Sequence, residues 1–138
     1  MSSIFTKIIN REILADIIYE DSNFIAFLDV NPLHDGHTLV IPKKEIDYIF
    51  DLDDETYFSL METSKKIAKI IDERLKSKLN FKRVGIIVEG FGVPHVHVHL
   101  IPLTDSFDLQ IKAKLENKDT YRNKMSKEEI KQILLGDN

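Results

Sequence analysis

The segment His95-Val96-His97-Val98-His99-Leu100-Ile101-Pro102 sets three histidines at strict alternation. On an extended strand, side chains two apart share a face, so the three imidazoles line one side while Val96, Val98 and Leu100 line the other. Burying such a row merely as packing is costly, because each ring needs hydrogen-bond partners and charge on one ring disfavours charge on the next. The row therefore reads as a site. A histidine nitrogen is a nucleophile at neutral pH when its other nitrogen keeps the proton and an acceptor holds it there. Attack on phosphorus also needs donors around the non-bridging oxygens and a proton for the leaving group. One histidine as nucleophile, with its neighbours as donors and orienters, meets those needs without a metal. His37, following Gly36, is a candidate fourth member. The same spacing also suits histidine-ligated zinc, with ligands drawn from His95, His97, His99 and His37, so both chemistries are open at this point.

The elements that must hold these residues are short strands with two helical interruptions. Ile4, Ile8 and Ile9 fall at helical spacing, which predicts a short helix over 5–11. Segments 16–20, 24–30 and 38–41 are rich in Ile, Val and Phe and are separated by turn-forming residues, predicting three strands with antiparallel pairing. The apolar stripe Tyr57, Leu60, Met61, Ser64, Ile67, Ala68, Ile71 and Leu75 predicts the longest helix, with Asp53 as N-cap and Leu52 placed to staple onto Tyr57. Residues 83–89, a Gly90-Phe91-Gly92 turn and the histidine strand through Ile101 form a predicted hairpin, whose glycines leave backbone amides open to an anion. From Thr104 to Lys124 the chain is polar, with Lys112, Lys114, Lys118, Arg122 and Lys124 read as a solvated face. Ser126 and Glu129 then form a capping box before Ile130, Ile133 and Leu134, with Gly136 as the stop.

A chain of 138 residues is long enough for one domain with its own core, here residues 1–103, with 104–138 as a helix-ending extension of that same domain. The net charge of -4 gives no electrostatic reason to expect a nucleic-acid partner, because such binding rests on phosphate neutralisation. Absence of cysteine excludes disulfides and thiolate metal sites. No apolar run reaches the roughly 18 residues of a membrane helix, so no membrane insertion is expected. The segment around Lys7, Arg11 and Glu12 lacks the apolar core of a signal peptide, and a cytoplasmic location is expected.

The histidine row resembles the HxHxHxx signature of the histidine triad (HIT) superfamily. The likeness extends, in order, to Ile4-Phe5-Thr6-Lys7-Ile8-Ile9, Ile18-Tyr19-Glu20-Asp21, Ala26-Phe27-Leu28-Asp29-Val30-Asn31-Pro32 and His37-Thr38-Leu39-Val40-Ile41-Pro42-Lys43-Lys44, covering roughly 3–103. It is closest to the Hint branch, the purine nucleoside phosphoramidases. The resemblance implies an α+β domain with a five-stranded antiparallel sheet, one long helix and one or two short ones, paired as a homodimer. It implies that His97 takes the nucleoside monophosphoryl group from a purine nucleotide substrate, that His99 contacts the phosphate, and that His95 and His37 orient the nucleophile. Asp29 then accepts from ribose hydroxyls, flanked by Phe27 and Val30, and Ile4, Phe5 and Ile8 line the base pocket, with no cofactor.

The chain departs from that pattern in two places. Val88 and Gly92 stand where Hint proteins often carry asparagine and a serine or threonine, which removes side-chain donors near the phosphate. Ser3, Thr6 and Glu45 stand where many bacterial relatives carry the Cys-x-x-Cys pair and the histidine of a zinc site, so no zinc of that kind is expected. The leading function is cleavage of a purine nucleoside 5'-phosphoramidate, or a related AMP ester or anhydride, through a nucleotidyl-histidine. A dinucleoside polyphosphate hydrolase, a histidine-ligated metalloprotein and a nucleotide-binding module with vestigial catalysis are the alternatives.

Overall fold

The computed structural model describes residues 2–109 and 125–136. The basic residues Lys112, Lys114, Lys118, Arg122 and Lys124 lie outside the described residues. The expected α+β architecture is present, as a five-stranded antiparallel sheet in the order β1-β2-β3-β5-β4. Its strands are β1 (Ile17–Glu20), β2 (Phe24–Leu28), β3 (Thr38–Pro42), β4 (Arg83–Ile87) and β5 (Val98–Leu103), and the helices among the described residues are α1 (Ile4–Ile9), α2 (Asp54–Leu75) and α3 (Lys127–Leu135). Single 3-10 turns occupy Ile49–Asp51 and Ser106–Leu109. Among the described residues, no helix is long and apolar enough to cross a membrane.

Alternation along the strands divides the interior in two. Phe24, Ala26, Leu28, Val40, Val98 and Leu100 face α2 and α3, where they join Leu60, Ile67, Ile71, Leu75, Ile130 and Leu134 in the larger core. Ile25, Phe27, Leu39 and Ile41 face the other way and pack with Phe5 and Ile8 of α1. The capping predictions hold: Asp53 accepts from Thr56 N at the start of α2, and Ser126 and Glu129 close a reciprocal capping box on α3. Gly136 ends α3 in the left-handed conformation that favours glycine (φ 83°). The Arg74 guanidinium donates to Leu134 O and ties α2 to α3.

Several boundaries differ from expectation. Helix α1 stops at Ile9 because Arg11 turns left-handed (φ 64°) and the chain reverses into β1. Strand β2 ends at Leu28, since Asp29 Oδ1 accepts from Asn31 N and turns the chain. The largest difference is at the histidines. The β5 ladder begins only at Val98, and the connection from β4 spans 88–97 rather than the three residues Gly90-Phe91-Gly92. His95 and Val96 bond elsewhere: His95 N donates to Val93 O (2.8 Å) and Val96 N to Ile46 O (2.7 Å), so this stretch pairs with the chain beyond β3 instead of with β4. Alternation survives without the ladder, and Val96 and Val98 still enter the larger core.

Candidate active site

His95, His97 and His99 project from the sheet face that α1 covers. His99 pairs with Leu39 across β5 and β3, and the Phe5 ring lies 5.9 Å from the His95 ring and 5.0 Å from that of His97. His37 enters from the turn before β3. Gly36 makes that turn with φ 90°, and a Cβ there would approach Leu75 Cδ1 at 2.9 Å, so both conformation and space call for glycine.

Partners of fixed type determine where each proton sits in the neutral rings. Leu33 N can only donate, so His37 Nδ1 accepts from it (3.1 Å) and His37 Nε2 carries the hydrogen. His37 Nε2 lies 2.9 Å from His99 Nδ1, which therefore accepts, leaving the hydrogen of His99 on Nε2. The carbonyl of His95 can only accept, so His97 Nδ1 donates to it (2.8 Å) and the lone pair of His97 is on Nε2. Pro42 O likewise takes the Nε2 proton of His95 (2.8 Å), and Ser3 Oγ donates to His95 Nδ1 (2.7 Å). The arrangement thus offers one free nucleophilic nitrogen, on His97, beside one N–H donor, on His99.

Burial favours the neutral form of His37, His95 and His99. His37, 3% exposed, is pushed down to about 4, chiefly by desolvation, with Asp29 opposing and His99 adding to the effect. Desolvation also lowers His95, against the pull of the Pro42 carbonyl and Glu45, with His97 adding to the lowering. It lowers His99 too, where His97 adds to the lowering and Asp29 and Glu89 oppose.

Of the expected site residues, Phe5, Ile8 and Phe27 meet in the cluster beside His97. Ile4 and Val30 lie outside it, 49% and 72% exposed. Asp29 leads its turn and also faces the histidines, with Oδ2 3.4 Å from His37 Nε2. Gly92 is open, with nothing within 4 Å of a notional Cβ. Sequence reasoning assigned no role to Glu89, whose carboxylate clusters with ring nitrogens of His97 and His99, all within 4.8 Å of one another. One acid among many carries no signal until the loop is folded.

Ser3, Thr6 and Glu45 do converge on His95. Glu45 Oε1 accepts from Ser3 N (2.7 Å) and from Thr6 Oγ1 (2.6 Å), and Thr6 N donates to Ser3 Oγ (3.1 Å). This donor set does not fit a structural zinc, which favours thiolate and imidazole over neutral hydroxyls. Nor are the three alternating histidines gathered as one ligand set, because both ring nitrogens of His95 are committed to Pro42 and Ser3. Among the described residues, the compact groups that could hold a cation each pair two imidazoles with a carboxylate: Asp29, His37 and His99, or Glu89, His97 and His99.

Comparison with known proteins identifies the family and agrees with the fold. An uncharacterised HIT-like protein of Methanocaldococcus jannaschii is 40% identical over 104 residues, 72% of this chain and 77% of that protein. The adenosine 5'-monophosphoramidase of Schizosaccharomyces pombe is 37% identical over 102 residues, 74% of each chain. The structure of a zinc-bound histidine triad family protein from Mycobacterium smegmatis superposes with a TM-score of 0.77 at 28% identity, covering 99% of this chain and 92% of that one. The HIT domain family matches over residues 10–106, and the chain belongs to that family.

Proposed function

We propose that this HIT-family hydrolase cleaves purine nucleoside 5'-phosphoramidates at the α-phosphorus through a nucleotidyl-histidine on His97. The observation that carries the reading is the proton arrangement: His97 Nε2 holds a lone pair while its Nδ1 is anchored on the His95 carbonyl, and His99 presents an N–H from the same face. His97 Nε2 forms a bond to phosphorus as the bond to the leaving amine breaks, and the amine departs with a proton drawn from solvent. Water then attacks phosphorus and breaks the phosphorus–histidine bond, giving the nucleoside monophosphate and the free imidazole and returning one proton to solvent. His99 stabilises charge on the non-bridging oxygens, and His37 orients His99 through the 2.9 Å contact.

Asp29 accepts from the ribose hydroxyls, and the base lies against Phe5, Ile8 and Phe27, with Ile4 and Val30 at the rim and the amides around Gly92 near the phosphate. With no side-chain donor at Val88 or Gly92, binding rests on base and ribose. Residues 1–103 and the extension 104–138 act as one domain, supported by the burial of Ile130 and Leu134 in the larger core. The protein works in the cytoplasm as a homodimer; the exposed edge strand β4, with Ile86 outward, supports the pairing.

The test is the ratio of kcat/KM for adenosine and guanosine 5'-phosphoramidates to that for diadenosine tetraphosphate, with and without a chelator. Faster phosphoramidate turnover, unchanged by chelator, is expected. Faster cleavage of the dinucleotide moves the protein to a dinucleoside polyphosphate branch. Loss of activity to chelator favours a metal held by the imidazole–carboxylate groups, and AMP binding without turnover makes it a vestigial module.

A further inference from the structure

The hydrogen bonds around His95 form a directed chain. Its ring is completely buried and packs against Phe5, so His95 meets no substrate directly and reaches the nucleophile through its backbone. That backbone carbonyl accepts from His97 Nδ1; its peptide plane is held by Val96 N on Ile46 O, and the seated ring holds the same residue through its side chain. Two bonds seat the ring: Nε2 on Pro42 O, and Nδ1 on Ser3 Oγ. Ser3 is itself fixed from two sides, its N–H on Glu45 Oε1 and its hydroxyl oxygen under Thr6 N. Thr6 hydroxyl donates to the same Glu45 oxygen, whose carboxyl these bonds hold below the usual range.

We propose that Ser3, clasped by Thr6 and Glu45, is a positioning residue for His97: its hydroxyl proton locks His95, and the His95 carbonyl locks the nucleophile. The proposal rests on the covalent reading of His97 and adds Ser3 and Thr6, which precede the matched HIT region of 10–106, and Glu45 within it. It also couples two jobs of α1. The helix that delivers the Ser3 hydroxyl carries Phe5 against the His97 ring, so the proposed base wall and the aligned nucleophile form together.

Ser3 is also the N-cap of α1, and a chosen set of variants separates capping from positioning. Ser3→Ala removes both functions. Ser3→Asp keeps a good cap but has no proton to give His95 Nδ1. Ser3→Thr keeps both. The measurements are the single-turnover rate of nucleotidyl transfer to His97 at pH 8, the dissociation constant for AMP, and the ring-nitrogen NMR shifts of His97. Ser3→Ala and Ser3→Asp should each lose about tenfold in transfer rate, with AMP affinity within about twofold, and Ser3→Thr should recover wild-type rate. In the first two variants the His97 signals should shift from a pure Nδ1–H form towards a tautomer mixture. Full activity in Ser3→Asp, or an unchanged His97 tautomer in both Ser3→Ala and Ser3→Asp, would overturn the proposal and leave Ser3 as a cap. If the wild type transfers no nucleotide, the functional reading fails, and the His97 shifts across the four proteins still decide the positioning claim.

Discussion

The two faces of the sheet are built from alternate residues of the same strands, yet they hold opposite kinds of interior. Under α2 and α3 the contacts are almost wholly aliphatic and aromatic, from Phe24 and Val40 to Ile71 and Leu134. Under the six-residue α1 a smaller apolar group surrounds a chain of imidazoles, hydroxyls and carboxylates. The 22-residue α2 anchors its face by area, whereas α1 is too short to do so and is held by polar bonds of defined direction. Stability is thus concentrated on one face and proton placement on the other.

The sharpest contrast pairs one substitution from each face. His99→Ala removes the N–H donor and should lower kcat by about 10²- to 10³-fold, while chemical denaturation shows a stability within about 1 kcal/mol of wild type. Ile71→Ala empties a fully buried position in the larger core and should cost about 2–5 kcal/mol in the same denaturation experiment. Its turnover per folded molecule should be unchanged. Comparable effects of both variants on both readouts would dissolve the division between the faces.

Acid should act through the site face. The pKa of His37 is depressed from 6.5 to about 4 and those of His95 and His99 are also lowered, so the unfolded chain binds more protons as pH falls. The stability these neutral rings leave intact above about pH 6.5 is lost progressively towards pH 4, each ring contributing at most about 1.4 kcal/mol per pH step of one. A melting temperature that falls from pH 7 to pH 5, with a smaller fall in His37→Phe, is the expected result. The smallest effect belongs to the far side: Ser126→Ala breaks the capping box of α3 and should cost about 1 kcal/mol, with kcat unaltered.

The larger core was legible in the sequence because periodicity encodes it. The stripe Leu60, Ser64, Ile67, Ile71 and Leu75 is buried as its spacing indicates, and the caps at Asp53, Ser126 and Gly136 act through local backbone geometry. Alternation also placed the three imidazoles on one face correctly. Hidden from the sequence were the partners. Ser3 bonds to His95 across 92 positions and Glu45 to Thr6 across 39, separations at which no local pattern operates. The end of the β5 ladder at Val98 was equally hidden, since it depends on Val96 choosing Ile46 as its partner.

The central claim, a nucleophilic lone pair on His97 Nε2, is most directly tested by trapping. A brief reaction with an AMP donor bearing a good leaving group, quenched under mild alkali because a phosphorus–nitrogen bond is acid-labile, should yield one adenylyl group on His97 by peptide mass spectrometry. His97→Ala should give none while still binding AMP, and turnover should proceed with retention of configuration at phosphorus, the sum of two in-line inversions. Turnover with net inversion, or an adduct on another residue that persists in His97→Ala, would contradict the account.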